Sequence, residues 1–216
     1  MRVFTLSIMY SLLVLSMLYG EVTIGADVVS RYVWRGTDYG NAAAVQPGIE
    51  TAVGPITVGA WGSWSISPGL YFDGTQNDEG DDNMVTEASG NECDLYASTT
   101  VGPVGLTVTD YFFPAYAGTD SLLNVDKHTI ELSAGADVGP VSVLAAANVS
   151  GDDDNSTYLE LTYGAFSLGL GNGAYSTDGE FAPVSIGVSA SRDNFSASYI
   201  INPNQETSFL VFGVNF

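Results

Sequence analysis

The chain is poor in the residues that carry most protein chemistry. Its 216 residues include one His, one Cys and only five Lys and Arg together. Set against 25 Asp and Glu, those five bases leave a formal charge of −20. Phosphate binding needs clustered Lys and Arg, so nucleic acid is excluded as a partner. Docking on an anionic membrane surface is disfavoured for the same reason. The acidic surplus serves solubility in a salty medium or, as a sharper reading, the attraction of cations. Cys93 has no second cysteine with which to form an internal disulfide. In "NECDLYAS" it has apolar neighbours at step two and reads as a small buried or outward-facing residue. His128 has no evident partner in the sequence, so a His/Cys metal site is not expected, and no cofactor is.

Long apolar runs are scarce as well. The one example, "VFTLSIMYSLLVLSMLYG", follows Arg2 and stops before Glu21. It reads as an export signal over residues 1–20, leaving 21–216 as a single folded unit. Leu18 fits poorly three positions before a cut at Gly20. A lone anchoring helix is the competing reading, since the run is just long enough to span. Nothing downstream is long and apolar enough for a transmembrane helix.

What the chain does have is glycine, 25 residues, and 45% hydrophobic residues at a mean hydropathy of only +0.17. Apolar residues dispersed in this way fit many short strands better than long helices. One device recurs: "VGPI" at 53–56, "VGPV" at 101–104 and 138–141, "YGAF" at 163–166 and "RDNF" at 192–195. Each is turn chemistry flanked by alternating sequence, which predicts five tight hairpins. The flanks predict twelve strands, at about 22–34, 44–53, 56–66, 92–101, 104–113, 128–138, 141–149, 157–164, 166–174, 183–191, 195–202 and 208–216. Most have the length that a tilted strand needs to cross a hydrocarbon core. Longer connections alternate with the tight turns, so all turns fall at one end and all loops at the other. The expected fold is therefore all-β: a transmembrane antiparallel up-and-down barrel of about twelve strands, with short periplasmic turns and longer extracellular loops.

Step-two alternation supports this. Val22, Ile24, Ala26 and Val28 share one face with Tyr32 and Trp34, opposite Asp27, Arg31 and Arg35. Val141, Val143, Ala145, Ala147 and Val149 share another, as do Leu159, Leu161 and Tyr163, opposite Glu160. In the tenth strand Val184, Ile186, Val188 and Ala190 face away from Ser185, Ser189 and Ser191. A soluble secreted sandwich used for adhesion also alternates. What favours a membrane barrel is aromatic residues near strand ends. Tyr32, Trp34, Trp64, Tyr163, Phe166, Phe195 and Phe216 are expected to form two girdles at the membrane interfaces. The fifth strand breaks the pattern, because Leu106, Val108 and Asp110 share parity; a bulge near Thr109 or an exit from the membrane there is expected. An open edge in hydrocarbon leaves backbone groups unpaired, so the last strand must pair with the first. That strand, "TSFLVFGVNF", ends on Phe216 with Leu210, Phe212 and Val214 on the same face. It resembles the signal by which barrel-assembly machinery recognises its clients, which would make that machinery and the outer-membrane lipid partners.

The stretch "SRYVWRGTDYGNAAAVQPGIETAVGPITVGAWGSWS" resembles the opening of the TorF-type porin family of bacterial outer-membrane barrels. The resemblance rests on an aromatic-Arg-Gly segment at Tyr32 to Gly36, a Gln-x-Gly strand at Gln46 to Gly48 and a Gly-x-Trp strand at Gly59 to Trp61. "ECDLYAS" is similar to the family's acidic strand, and "SYIINPNQETSFLVFGVNF" to its closing hairpin. The resemblance implies a barrel exported to the bacterial outer membrane and leaves the solute undefined.

The inward face as drawn carries Asp27, Arg31, Glu50, Glu92, Asp94, Glu131, Asp137 and Glu160, with Arg35 near the outer mouth. Arg31 is expected to pair with Asp27 and brace the wall. Excess carboxylates around a narrow water path favour cations or cationic solutes. The expected function is a narrow passive pore for small solutes with a cation preference. A closed structural or adhesive barrel is the first alternative. A barrel lipase is the second, but His128 has no convincing serine beside it. The acidic connection 68–91 reads as a solvated loop that could bind Ca²⁺, and "GDDDNS" lacks calcium-loop spacing.

Overall fold

The computed structural model describes residues 20–66, 70–76, 82–86, 91–114 and 123–216. The expected signal, Gly20 aside, lies outside them, as do the acidic positions Asp78, Glu79, Asp81 and Glu87 of the long connection.

Twelve antiparallel strands close into a barrel. In chain order they are β1 (Val22–Val29), β4 (Ala44–Val53), β5 (Ile56–Ser65), β8 (Glu92–Val101), β9 (Val104–Phe112) and β10 (His128–Val138). The second half comprises β11 (Val141–Ser150), β12 (Thr157–Tyr163), β13 (Phe166–Gly171), β14 (Ala182–Arg192), β15 (Phe195–Asn202) and β16 (Thr207–Asn215). Each pairs with the next, and β16 returns to β1 through Asp27–Asn215, Val28–Val214 and Val29–Gly213. Phe216 continues the seam: its N–H donates to Ala26 O at 2.9 Å, and Ala26 N–H donates back at 3.4 Å. With the ring closed, the barrel sheet itself has no edge left to be satisfied by solvent. Two short hairpins form sheets separate from the barrel sheet, β2 (Val33–Trp34) with β3 (Thr37–Asp38) and β6 (Leu70–Gln76) with β7 (Asp82–Thr86). The second occupies part of the connection expected to be loop.

The tight turns fall where the Gly-Pro and Asp-Asn pairs put them. Gly54 takes φ 62 as the first central residue of a two-residue hairpin loop, and Pro55 follows at the position that tolerates a fixed negative φ. Strands as regular as these let register fix every side chain's side. Leu210, Phe212 and Val214 lie outside with Tyr199, Ala197 and Phe195, while Phe209, Val211 and Gly213 lie inside with Ile200, Ser198 and Ser196.

Four expectations need correction. β1 stops at Val29, because the chain leaves the wall at Ser30 and folds inward. β13 stops at Gly171, and Gly173–Tyr175 forms a 3-10 turn inside the loop end. β9 has no bulge near Thr109: its register with β8 and β10 is continuous. Asp110 therefore does share the outer face with Leu106 and Val108, and its charge is met there by His128, whose Nδ1 lies 2.7 Å from Asp110 Oδ1. The Phe112 ring stacks on that imidazole at 4.9 Å. Finally, a register shift between Gly169 and Leu170 turns Val184 inward, where it is fully buried instead of facing out.

Candidate functional site

The interior is organised by the segment between β1 and β4. "YVWRGTD" reads by alternation as the end of a strand, yet its Arg-Gly pair is a hairpin loop. Arg35 takes φ 50 and Gly36 φ 83, both left-handed, which is the two-residue turn that reverses β2 into β3. For Arg35 that backbone costs about 1 kcal/mol. Gly36 is required twice over: its φ disfavours any side chain, and a Cβ there would lie 2.0 Å from Val184 O. Asn202 Nδ2 donates to Gly36 O at 3.2 Å and Gln205 Nε2 to Thr37 Oγ1 at 3.2 Å, fastening the hairpin to the loop end of β15.

Around this hairpin the barrel is filled with rings. Tyr32 Oη donates to Glu92 Oε2 at 2.6 Å. Its ring lies 5.4 Å from Tyr39 and 5.7 Å from Trp61. Trp34 lies 5.5 Å from Tyr111 and 5.8 Å from Tyr175. Tyr158, Tyr175, Val184 and Ala146 form the buried cluster on which Trp34 packs. Tyr32 and Trp34 are thus inside the barrel, not on an exterior girdle. The parity that placed them outside holds only while a strand stays in the wall, and this one leaves it at Ser30.

At the tip, Arg35 is enclosed. Its Nη1 and Nη2 donate to Glu131 Oε2 at 2.6 Å and Oε1 at 3.0 Å, a bidentate pair with side chains only 7% and 3% exposed. Arg35 also bonds the Tyr175 hydroxyl. Its guanidinium carbon sits 4.2 Å from the Trp34 ring centre, 4.4 Å from Tyr158 and 5.0 Å from Tyr175. Tyr111 Oη donates to Glu131 Oε1 at 3.2 Å. Burial works against the guanidinium charge, but the hydrogen bonds with Glu131 and the negative charge around the group together outweigh it and hold Arg35 more firmly protonated than usual. Gly169 makes room for this packing, since a Cβ there would meet Tyr158 Oη at 2.2 Å.

The other predicted positions divide by side. Asp27, Glu50, Glu92, Asp94, Glu131, Asp137 and Glu160 all have inward parity. Arg31 pairs with Asp38 of the hairpin at 2.6 Å and not with Asp27, so the brace lies within the inturned segment. Both arginines are therefore committed, and the remaining carboxylates have tyrosine or hydroxyl partners or none. Tyr96 Oη donates to Glu50 at 2.8 Å, Tyr158 Oη to Glu160 at 2.9 Å and Ser142 Oγ to Asp137 at 2.6 Å. Glu92 and Asp94 are buried against each other, and neither Glu92 Oε1 nor Asp94 Oδ1 has a donor from any other group among the described residues. Between the hairpin and the tight-turn end many inward positions are small, Gly105, Thr107, Ser133, Gly135, Gly187, Ser189 and Ser198 among them, and they alternate around the ring with the larger Leu144, Ile200, Phe209 and Val211. Trp64, Tyr163, Phe166, Phe195 and Phe216 are exposed on the outer surface, the last four at the tight-turn end.

Sequence reasoning missed Tyr39, Tyr111, Tyr158 and Tyr175 as the partners of the hairpin. The signal available for Tyr111 and Tyr158 was their inward parity on β9 and β12; Tyr39 and Tyr175 lie off the strands and carry no such signal. Above the hairpin, toward the loop end, lies a cleft of about 290 Å³ lined by Trp34, Tyr39, Tyr111, Tyr175, Asn148 and Asp153 among others. Asp152 organises its rim, accepting from Ser156 N–H at 2.9 Å, Asp154 N–H at 3.1 Å and Asn148 Nδ2 at 2.7 Å. Its burial pushes the carboxyl up, but the bonds from Ser156 and Asn148 win and hold it below the usual carboxylate value.

A closed twelve-stranded up-and-down barrel with an apolar exterior, a carboxylate-rich interior and one inturned hairpin is the class that this geometry defines. Residues 19–200 match the family described as "Bacterial protein of unknown function (Gcw_chp)", and the chain belongs to that family. The match does not link it to the TorF-type porins that its end segments resemble. No curated protein and no solved structure matches the chain.

Proposed function

We propose that the protein is a bacterial outer-membrane barrel that admits small solutes through a narrow lumen, with a preference for cations and with the Val33–Asp38 hairpin as its constriction. The observation that carries this reading is the charge balance inside. The inward positions hold Asp27, Glu50, Asp137 and Glu160 beyond the Glu131 that pairs with Arg35, and Arg31 is matched by Asp38; the buried Glu92 and Asp94 face each other and do not add to that surplus. In a low-dielectric wall such a surplus attracts cations and repels anions. The exterior band of Ile24, Ile49, Leu95, Leu132, Leu210 and Phe212 supports lipid as the surrounding solvent. The exposed rings at the tight-turn end suit its periplasmic interface, and the resemblance of both end segments to TorF-type porins points the same way. The protein acts, on this reading, without catalysis or cofactor.

A second reading, a closed structural barrel, is favoured by the packing of Arg35 itself, since a bidentate pair inside an aromatic box opposes spontaneous opening. Planar-bilayer recordings decide between them. The pore reading predicts discrete conductance with a cation-selective reversal potential that falls in Glu50→Gln/Glu160→Gln. A silent bilayer, for wild type and for a hairpin-released variant alike, supports the closed barrel and refutes the pore.

A further inference from the structure

The box around Arg35 has the chemistry of a cation-recognition site. Three ring faces lie within 5.0 Å of the guanidinium carbon, and a carboxylate with almost no exposure closes the remaining side. Arg35 reaches it from a left-handed hairpin tip, so its backbone is held out of its preferred region to deliver the side chain. The cleft on the loop side shares Trp34, Tyr111 and Tyr175 with the box. Asn148, 8% exposed, also lines that cleft, and its Oδ1 is buried without a hydrogen-bond partner although its Nδ2 is bonded to Asp152. An unpartnered acceptor beside stacked rings and Asp153 matches a ligand that brings N–H donors and positive charge.

We propose that the box and cleft together bind a small organic cation of the guanidinium or alkylammonium class, and that Arg35 is the tethered occupant such a solute displaces. A free cation entering by the cleft exchanges with Arg35 for the two oxygens of Glu131 and for the faces of Trp34, Tyr158 and Tyr175. The hairpin tip loses its anchor as the ligand gains one. This deepens the solute-entry reading by naming the solute class, but binding can be measured whether or not the barrel conducts.

The test uses n-propylguanidinium, the Arg35 side chain without its backbone, and isothermal titration of the protein in detergent. Arg35→Ala empties the box and is expected to bind the probe at millimolar concentration or tighter. Wild type binds at least tenfold more weakly, because its own arginine competes. Adding Glu131→Gln to Arg35→Ala removes the charged partner and weakens binding roughly ten- to a hundredfold. Urea, flat and donor-rich but neutral, is not bound. Should Arg35→Ala fail to fold alone, its refolding yield is read against the same probes. A saturable rise with n-propylguanidinium and none with urea supports the site. A folded Arg35→Ala barrel that ignores the cation, binding that survives Glu131→Gln, or no rescue of a misfolded one overturns it.

Discussion

Glu131→Gln isolates the contact that holds the hairpin in the barrel. The change preserves shape and removes only the charge that faces Arg35. Breaking a buried ion pair by removing one partner costs about 3–5 kcal/mol, because the other charge stays buried and unmatched. The three ring contacts remain and stabilise the stranded cation by roughly 0.5–2 kcal/mol each at most. They lie on overlapping faces of one guanidinium, so they do not sum fully. A net loss of about 2–3 kcal/mol in docking follows, raising the released fraction about 30- to 150-fold at 1.4 kcal/mol per decade. The barrel is unaffected, since its ladders do not pass through the pair. Trypsin supplies the assay: the bonds after Arg31 and Arg35 are shielded while the hairpin is docked, and cleavage tracks the population of the open form when reclosing is fast. Cleavage within residues 31–36 should accelerate by that factor in Glu131→Gln, while heat-modifiable gel migration is unchanged. Equal cleavage of the two proteins would show that the ion pair does not hold the hairpin.

Three further outcomes follow from the same structure. Gly36→Ala places a Cβ against Val184 O at a left-handed φ, so it should release the hairpin even more than Glu131→Gln, read by the same proteolysis. His128→Ala strands Asp110 on the barrel's outer face; near an interface an unmatched carboxylate there should lower stability by about 1 kcal/mol in urea unfolding from vesicles. Asp152 has a folded-state value below its unfolded one, so its stabilising contribution is fully present above the ordinary carboxylate value of about 4 and is lost as pH falls through the depressed value. Asp152→Asn should remove that acid-side dependence from hydrogen exchange of residues 151–156, and an unchanged profile would contradict the assignment.

Much of this fold is legible because a barrel repeats two local signals. Alternation assigns a side to each residue, and three Gly-Pro pairs, one Gly-Ala and one Asp-Asn mark the five tight turns, so strand ends at that end of the barrel agree closely with expectation. At the loop end the signals compete. In "SRYVWRGTDYG" alternation continues past Val29 as though the strand did, while Arg-Gly encodes a reversal that folds the same residues inward. Parity then gives Tyr32 and Trp34 the wrong side, although it gives Glu92, Asp94 and Glu131 the right one. Asp110 failed for the opposite reason. A charge at an outward position reads as a defect in pattern, because its partner His128 stands on the next strand and a linear sequence does not display cross-strand neighbours. The bulge that buries Val184 leaves no mark in composition at all. The partners of Arg35 come from β10, β12 and the 3-10 turn, so the site exists only once the ring has closed.

The central claim is that β16 runs through a bilayer as the sealing strand, greasy on one side and facing the interior on the other. Single cysteines placed at 209 through 214 in a Cys93→Ser background, labelled with an environment-sensitive dye and refolded into vesicles of brominated lipid, test it directly. The labels at Leu210, Phe212 and Val214 should be quenched and those at Phe209, Val211 and Gly213 should not. Six equally unquenched labels, on a protein that stays folded and dispersed in plain buffer, would contradict it.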